Sequence, residues 1–91
     1  MFKINIYGKV QGVSYRAWFK KTAELMDIRG CVYNNDDGSV EALVNCNKEE
    51  LIKLIGLCHQ GSKLSEVNRV EYYLLSDIPL IKNQKGFIIK Y

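Results

Sequence analysis

The spacing of apolar residues changes period several times along this chain, and the order of those changes restricts the folds open to it. Phe2, Ile4 and Ile6 alternate with Lys3, Asn5 and Tyr7, the two-residue repeat of a strand with one face on a core. Gly8 and Gly12 bracket a loop. From about Tyr15 the repeat is helical: Tyr15, Phe19, Ala23 and Met26, with Trp18, Thr22 and Leu25 alongside, predict a helix to about Ile28. Gly30 suits the left-handed position just past that helix, and Arg29 its last turn. A second strand over 31–35 leads through Asp36, Asp37 and Gly38 to a third, in which Val40, Ala42 and Val44 alternate with Glu41, Leu43 and Asn45. Aspartate then glycine between two such runs signals a hairpin, because glycine takes positive φ without steric cost. Asn47 stands three residues before Glu50 and opens a second helix, with Leu51, Leu54, Ile55 and Cys58 as its buried stripe and Gly61 at its end. A fourth strand is predicted over 67–75. A loop containing Pro79 follows, and the β-prone run 87–91 adds an edge strand or extends the fourth.

Strand, helix, strand, strand, helix, strand is the order of an α+β ferredoxin-like split βαβ (βαββαβ) sandwich, an antiparallel sheet carrying two helices on one face. At 91 residues, with 47% hydrophobic and 25% charged, the expectation is a single domain over 1–91 with a packed interior. No apolar run has the length of a membrane-spanning helix, and the N-terminal segment alternates where a secretory signal would be continuously apolar. Cys31, Cys46 and Cys58 are odd in number and contain no CxxC pair, so the expectation is reduced thiols in a cytoplasmic protein. A net charge of +3 suits anionic ligands but is too small to indicate nucleic acid.

The chemistry-bearing residues fall in two places. The loop Gly8, Lys9, Val10, Gln11, Gly12, Val13, Ser14, Tyr15, Arg16 joins a strand end to a helix start, where main-chain N–H groups lack intrahelical partners and can cradle an anion. Arg16 at its rim can make paired charged hydrogen bonds to two phosphate oxygens. Asn34, late in the second strand, lies at the same sheet edge, because strands one and two of a split βαβ unit run parallel. Its uncharged carboxamide can hold a water without repelling an anion. Taken separately, a glycine turn with a solvated arginine, and an asparagine that helps form the turn, account for these residues better. Asp36, Asp37 and Glu41 read as a solvated turn rather than a metal site, and His59 as a helix-end residue.

Taken jointly, Gly8, Val10, Gln11, Gly12, Val13 and Arg16, with Ala23 inside the helix, and then Gly30, Val32, Asn34, Asp37, Gly38, Val40 and Glu41, resemble the two signatures of the acylphosphatase family. The resemblance implies hydrolysis of the carboxyl–phosphate bond of acyl phosphates to carboxylate and inorganic phosphate. It implies that the amides of Gln11, Gly12, Val13, Ser14 and Tyr15 bind the phosphoryl group with the Arg16 side chain, and that Asn34 positions the attacking water, without covalent intermediate, metal or cofactor. The expected partner is a small-molecule acyl phosphate, with no nucleic acid and no membrane, for a monomeric cytoplasmic enzyme. Cys31 and Tyr33 depart from the pattern, where aromatic and basic residues are frequent, and Ser62 stands where proline is usual. Two other readings are a non-catalytic anion-binding module and a ferredoxin-like RNA-binding domain, the latter suggested by Tyr72, Tyr73 and Arg69.

Overall fold

Phe2, Ile4 and Ile6 form the buried side of the first strand, as their alternation predicts, and that strand lies inside the sheet with a neighbour on each side. The computed structural model describes residues 1–76 and 85–90; the loop around Pro79 and the terminal Tyr91 lie outside them. In chain order the elements are β1 (Phe2–Lys9), α1 (Tyr15–Leu25), β2 (Arg29–Asn34), β3 (Val40–Asn45), α2 (Lys48–Gln60), β4 (Glu66–Leu74) and β5 (Phe87–Ile89). The sheet order is β4-β1-β3-β2-β5. β1 and β2 each pair antiparallel with the intervening β3, so they run parallel to each other and end on the same side of the sheet.

β5 forms an edge strand rather than extending β4, and it joins β2 in parallel, so the sheet is antiparallel except at this edge. Its place is set by packing. Phe87 is buried against Phe19 of α1, ring centroids 5.5 Å apart, and Lys90 N–H donates to the Val32 carbonyl at 2.9 Å. The core lies between the sheet and the two helices: Ile4, Ile6, Val32, Val40, Ala42 and Val44 meet Phe19 and Ala23 of α1 and Leu51, Leu54 and Cys58 of α2. Burying each large side chain contributes about 1.5–3 kcal/mol, and this layer joins segments far apart in sequence.

α1 ends three residues before the predicted position. Asp27, not Gly30, takes the left-handed conformation (φ 57°). Ile28 N–H then reaches the Ala23 carbonyl at 2.9 Å and Asp27 N–H the Glu24 carbonyl at 3.0 Å, the paired bonds of a Schellman motif. Ile28 is thereby drawn into the core while Leu25, from the predicted stripe, is 81% exposed. Arg29 and Gly30 belong to β2, where a Cβ on Gly30 would strike the Leu43 carbonyl of β3. α2 starts as predicted: Glu50 N–H donates to Asn47 Oδ1 at 2.8 Å and Asn47 N–H to Glu50 Oε1 at 3.1 Å.

β1 continues two residues beyond Tyr7, with Gly8 opposite Val67 and Lys9 opposite Glu66. A bulge between Tyr7 and Gly8 leaves Asn68 unmatched, which explains why Val67 and Val70, an odd distance apart, both pack on the core.

Candidate active site

The segment between β1 and α1 is pinned on three sides before it meets any ligand. Val10 is buried in the core. The Gln11 carboxamide donates to the main-chain carbonyls of Asn35 at 2.8 Å and Ser39 at 2.9 Å, tying the segment to the β2–β3 hairpin. The Tyr15 hydroxyl donates to the Cys58 carbonyl at 2.8 Å, and the Ser62 hydroxyl donates to the Val13 carbonyl at 2.7 Å, tying it to the end of α2. Burial raises the Tyr15 hydroxyl far above its ordinary pKa, so it remains a donor.

Within this frame Gly12 (φ 74°) and Ser14 (φ 63°) both take the left-handed conformation. Only Gly12 does so without a Cβ, so the segment holds backbone strain of about 1–3 kcal/mol at Ser14. Ser14 precedes α1 without capping it through its side chain, and the first helical bond runs from Trp18 N–H to the Ser14 carbonyl at 3.1 Å. Among the described residues, no main-chain acceptor is bonded to the N–H groups of Gly12, Val13, Ser14 or Tyr15. A depression of about 160 Å³ opens here, lined by Val10, Gly12, Ser14, Tyr15, Arg16, Ala17 and Ile89. This is enough space for a phosphoryl group.

Arg16 lines that depression, and its Nη1 reaches the Lys90 carbonyl at 3.4 Å. Lys90 in turn bonds Val32 of β2, two residues before Asn34. Asn34 is the exposed last residue of β2, opposite Val40, on the helix-bearing side shared with Val32. Arg16 and Asn34 therefore stand at the same end of the sheet, on adjoining elements. Of the predicted residues, Gly12, Ser14, Tyr15 and Arg16 line the depression, whereas Asn34 stands outside its wall. Val13 turns its side chain to the core and its carbonyl to Ser62. The Gln11 side chain is engaged with the hairpin.

The β2–β3 loop 35–39 is equally constrained. Asp37 Oδ1 accepts from Ser39 N–H at 2.9 Å and Ser39 Oγ at 2.6 Å, bonds that lower its pKa. Gly38 takes positive φ (92°), as the hairpin signal predicts. Glu41 accepts from the Tyr33 hydroxyl and from Asn35 Nδ2 at 3.4 Å, so the acidic residues of the hairpin are spread over separate partners. Burial, then the bond to Glu41, raises the Tyr33 pKa.

Sequence reasoning missed the side-chain roles of Gln11 and Ser62 and the wall formed by Ile89. Each depends on main-chain carbonyls or neighbours far along the chain, which carry no local signature. Tyr72 and Tyr73 do not build one stacking surface. Tyr73 lies on the open face beneath Lys3 Nζ (5.2 Å), whereas Tyr72 lies on the helix side with Lys48 Nζ over its ring (5.0 Å). Arg69 stacks on Tyr7 at 4.2 Å. His59 is exposed in the last turn of α2.

Fold and loop together define a ferredoxin-like α+β sandwich with a main-chain cradle suited to an anion at one end of its sheet. The family model Acylphosphatase matches residues 2–89, and the chain belongs to the acylphosphatase family. The acylphosphatase of Thermococcus kodakarensis is 43% identical over 68 residues, 75% of each chain, and that of Rhizorhabdus wittichii is 38% identical over 88 residues, 97% of this chain and 85% of the relative. The crystal structure of acylphosphatase from Bacillus subtilis superposes with a TM-score of 0.88 at 28% identity, covering 99% of this chain and 97% of that one.

Proposed function

We propose that this enzyme hydrolyses the carboxyl–phosphate bond of small acyl phosphates, releasing a carboxylate and inorganic phosphate. The observation that carries the reading is that Gly12, Ser14 and Tyr15, whose N–H groups have no main-chain acceptor among the described residues, line one depression together with Arg16. The amides of Gln11, Gly12, Val13, Ser14 and Tyr15 and the Arg16 guanidinium bind the phosphoryl oxygens, and stabilise the charge they carry in the transition state. Asn34 holds the attacking water in line with the scissile bond. The carboxylate leaving group is weakly basic, so positioning and electrostatics supply most of the acceleration and no strong general base is needed.

In this reading the chain works as one acylphosphatase-like domain over 1–91, a cytoplasmic monomer without metal or cofactor and without a nucleic-acid partner. Support comes from a single core spanning the sheet and both helices and from three unpaired thiols. Hydrolysis of benzoyl phosphate in excess EDTA tests the proposal directly. Turnover by the wild type and its loss in Arg16→Ala are expected. A wild type without turnover, or an Arg16→Ala variant as active as wild type, would overturn it.

A further inference from the structure

The bond between Ser62 and Val13 joins the loop after α2 to the middle of the cradle. The Ser62 hydroxyl donates to the Val13 carbonyl at 2.7 Å, 49 residues away in sequence. That carbonyl shares a peptide plane with the Ser14 N–H. In a trans peptide the two groups point in opposite directions; among the described residues there is no cis peptide bond. Holding the Val13 carbonyl outward on Ser62 therefore turns the Ser14 N–H inward, and Ser14 is the residue of that pair that lines the depression. The plane needs such a hold, because Ser14 sits at φ 63° with a Cβ and its own hydroxyl makes no capping bond. Relaxation of Ser14 to negative φ would rotate this N–H out of the cradle.

Ser62 is itself held in place. Gly61, at φ 63°, lies against the Tyr15 ring and leaves no space for a Cβ. Ser65 Oγ donates to the Ser62 carbonyl at 2.8 Å, and Ser65 N–H reaches the same carbonyl at 3.1 Å. Tyr15, bonded to the Cys58 carbonyl, completes a brace between the end of α2 and the start of α1. We infer that Ser62 is a positioning residue for the phosphoryl-binding loop: its hydroxyl fixes the 13–14 peptide so that the Ser14 N–H faces the bound anion. The inference rests on reading this loop as the phosphoryl cradle, and adds that the cradle's geometry is set from the α2–β4 connection. A residue without a side-chain donor at position 62 would leave this peptide free to turn.

The test is the affinity of the full chain for inorganic phosphate, measured by calorimetry and by the chemical shift of the Ser14 amide, alongside turnover of benzoyl phosphate. Ser62→Ala should raise the phosphate dissociation constant about five- to tenfold, the fold-change expected of one lost hydrogen bond. It should also reduce the phosphate-induced shift of the Ser14 amide. Ser62→Thr, which keeps the hydroxyl, should restore both. Leu64→Ala trims a side chain of the same loop that is 68% exposed and holds neither Ser62 nor the cradle, and should leave phosphate affinity at the wild-type value. Wild-type affinity in Ser62→Ala, or an equal loss in Leu64→Ala, would overturn the inference. A wild type that binds no phosphate would instead overturn the reading of the loop, and one that binds phosphate without turnover would overturn the proposed activity while leaving the role of Ser62 standing.

Discussion

The Gln11 carboxamide nitrogen donates to the Ser39 carbonyl at 2.9 Å across 28 residues of sequence. Its second hydrogen goes to the Asn35 carbonyl at 2.8 Å. One side chain thereby couples the loop that carries Arg16 to the hairpin that follows Asn34, and both carbonyls it serves also accept from main-chain N–H groups of the hairpin itself.

Gln11→Leu removes both donors but leaves each carbonyl one partner, so a stability loss of about 1–2 kcal/mol is expected in urea denaturation, at roughly 1 kcal/mol per net hydrogen bond. Gln11→Glu places a carboxylate against two carbonyl oxygens and should lose more. A Glu variant as stable as wild type would show that this side chain does not face the hairpin.

Asn34 is the exposed end of β2, and no described side chain or carbonyl is hydrogen-bonded to its carboxamide, which suits a group that holds a water. Asn34→Ala should lower kcat about a hundredfold with little change in KM, since a misplaced nucleophile slows chemistry more than binding. Asn34→Asp should raise KM as well, through repulsion of the anionic substrate. For Arg16, lysine should not substitute, because a point charge cannot make paired bonds to two phosphoryl oxygens. If steady-state assays find Arg16→Lys fully active, bidentate binding is not required.

The glycines separate by what surrounds them. Gly30 sits at φ 151° with the Leu43 carbonyl where a Cβ would go, so Gly30→Ala should cost at least about 1–3 kcal/mol through strain alone, with backbone displacement in addition. Gly56 lies inside α2 with open space around it and no positive φ. Gly56→Ala should stabilise by about 0.5–1 kcal/mol. Thermal melts of the two variants should move in opposite directions.

Burial pushes the Cys58 thiol from 9.0 up to about 12. The folded thiol thus keeps its proton after the unfolded one has released it, so its stabilisation is complete below pH 9 and is lost as pH rises towards 12. Denaturation curves under reducing conditions should show stability falling across this range, by at most about 1.4 kcal/mol per pH unit from this group. Cys46, raised to about 11 by burial and then by Glu50, acts in the same sense. The slope should be shallower in Cys58→Ala; an unchanged slope would exclude the thiol as its source.

Much of this molecule is set by local rules that leave marks in the sequence. Alternation fixes the faces of β1 and β3, Asn47 and Glu50 open α2 by reciprocal capping, Gly38 marks the hairpin, and the two signatures carrying Arg16 and Asn34 identify the family. Each is a relation among residues a few positions apart. Tertiary structure alone determines that β5 docks in parallel on β2, that Asp27 rather than Gly30 closes α1, and that Gln11 and Ser62 tie the β1–α1 segment to the hairpin and to the end of α2. Those outcomes depend on carbonyl oxygens, which every residue possesses, and on volumes filled by side chains distant in the chain. Periodicity carries no record of either, so they arise only when the layers close on one another.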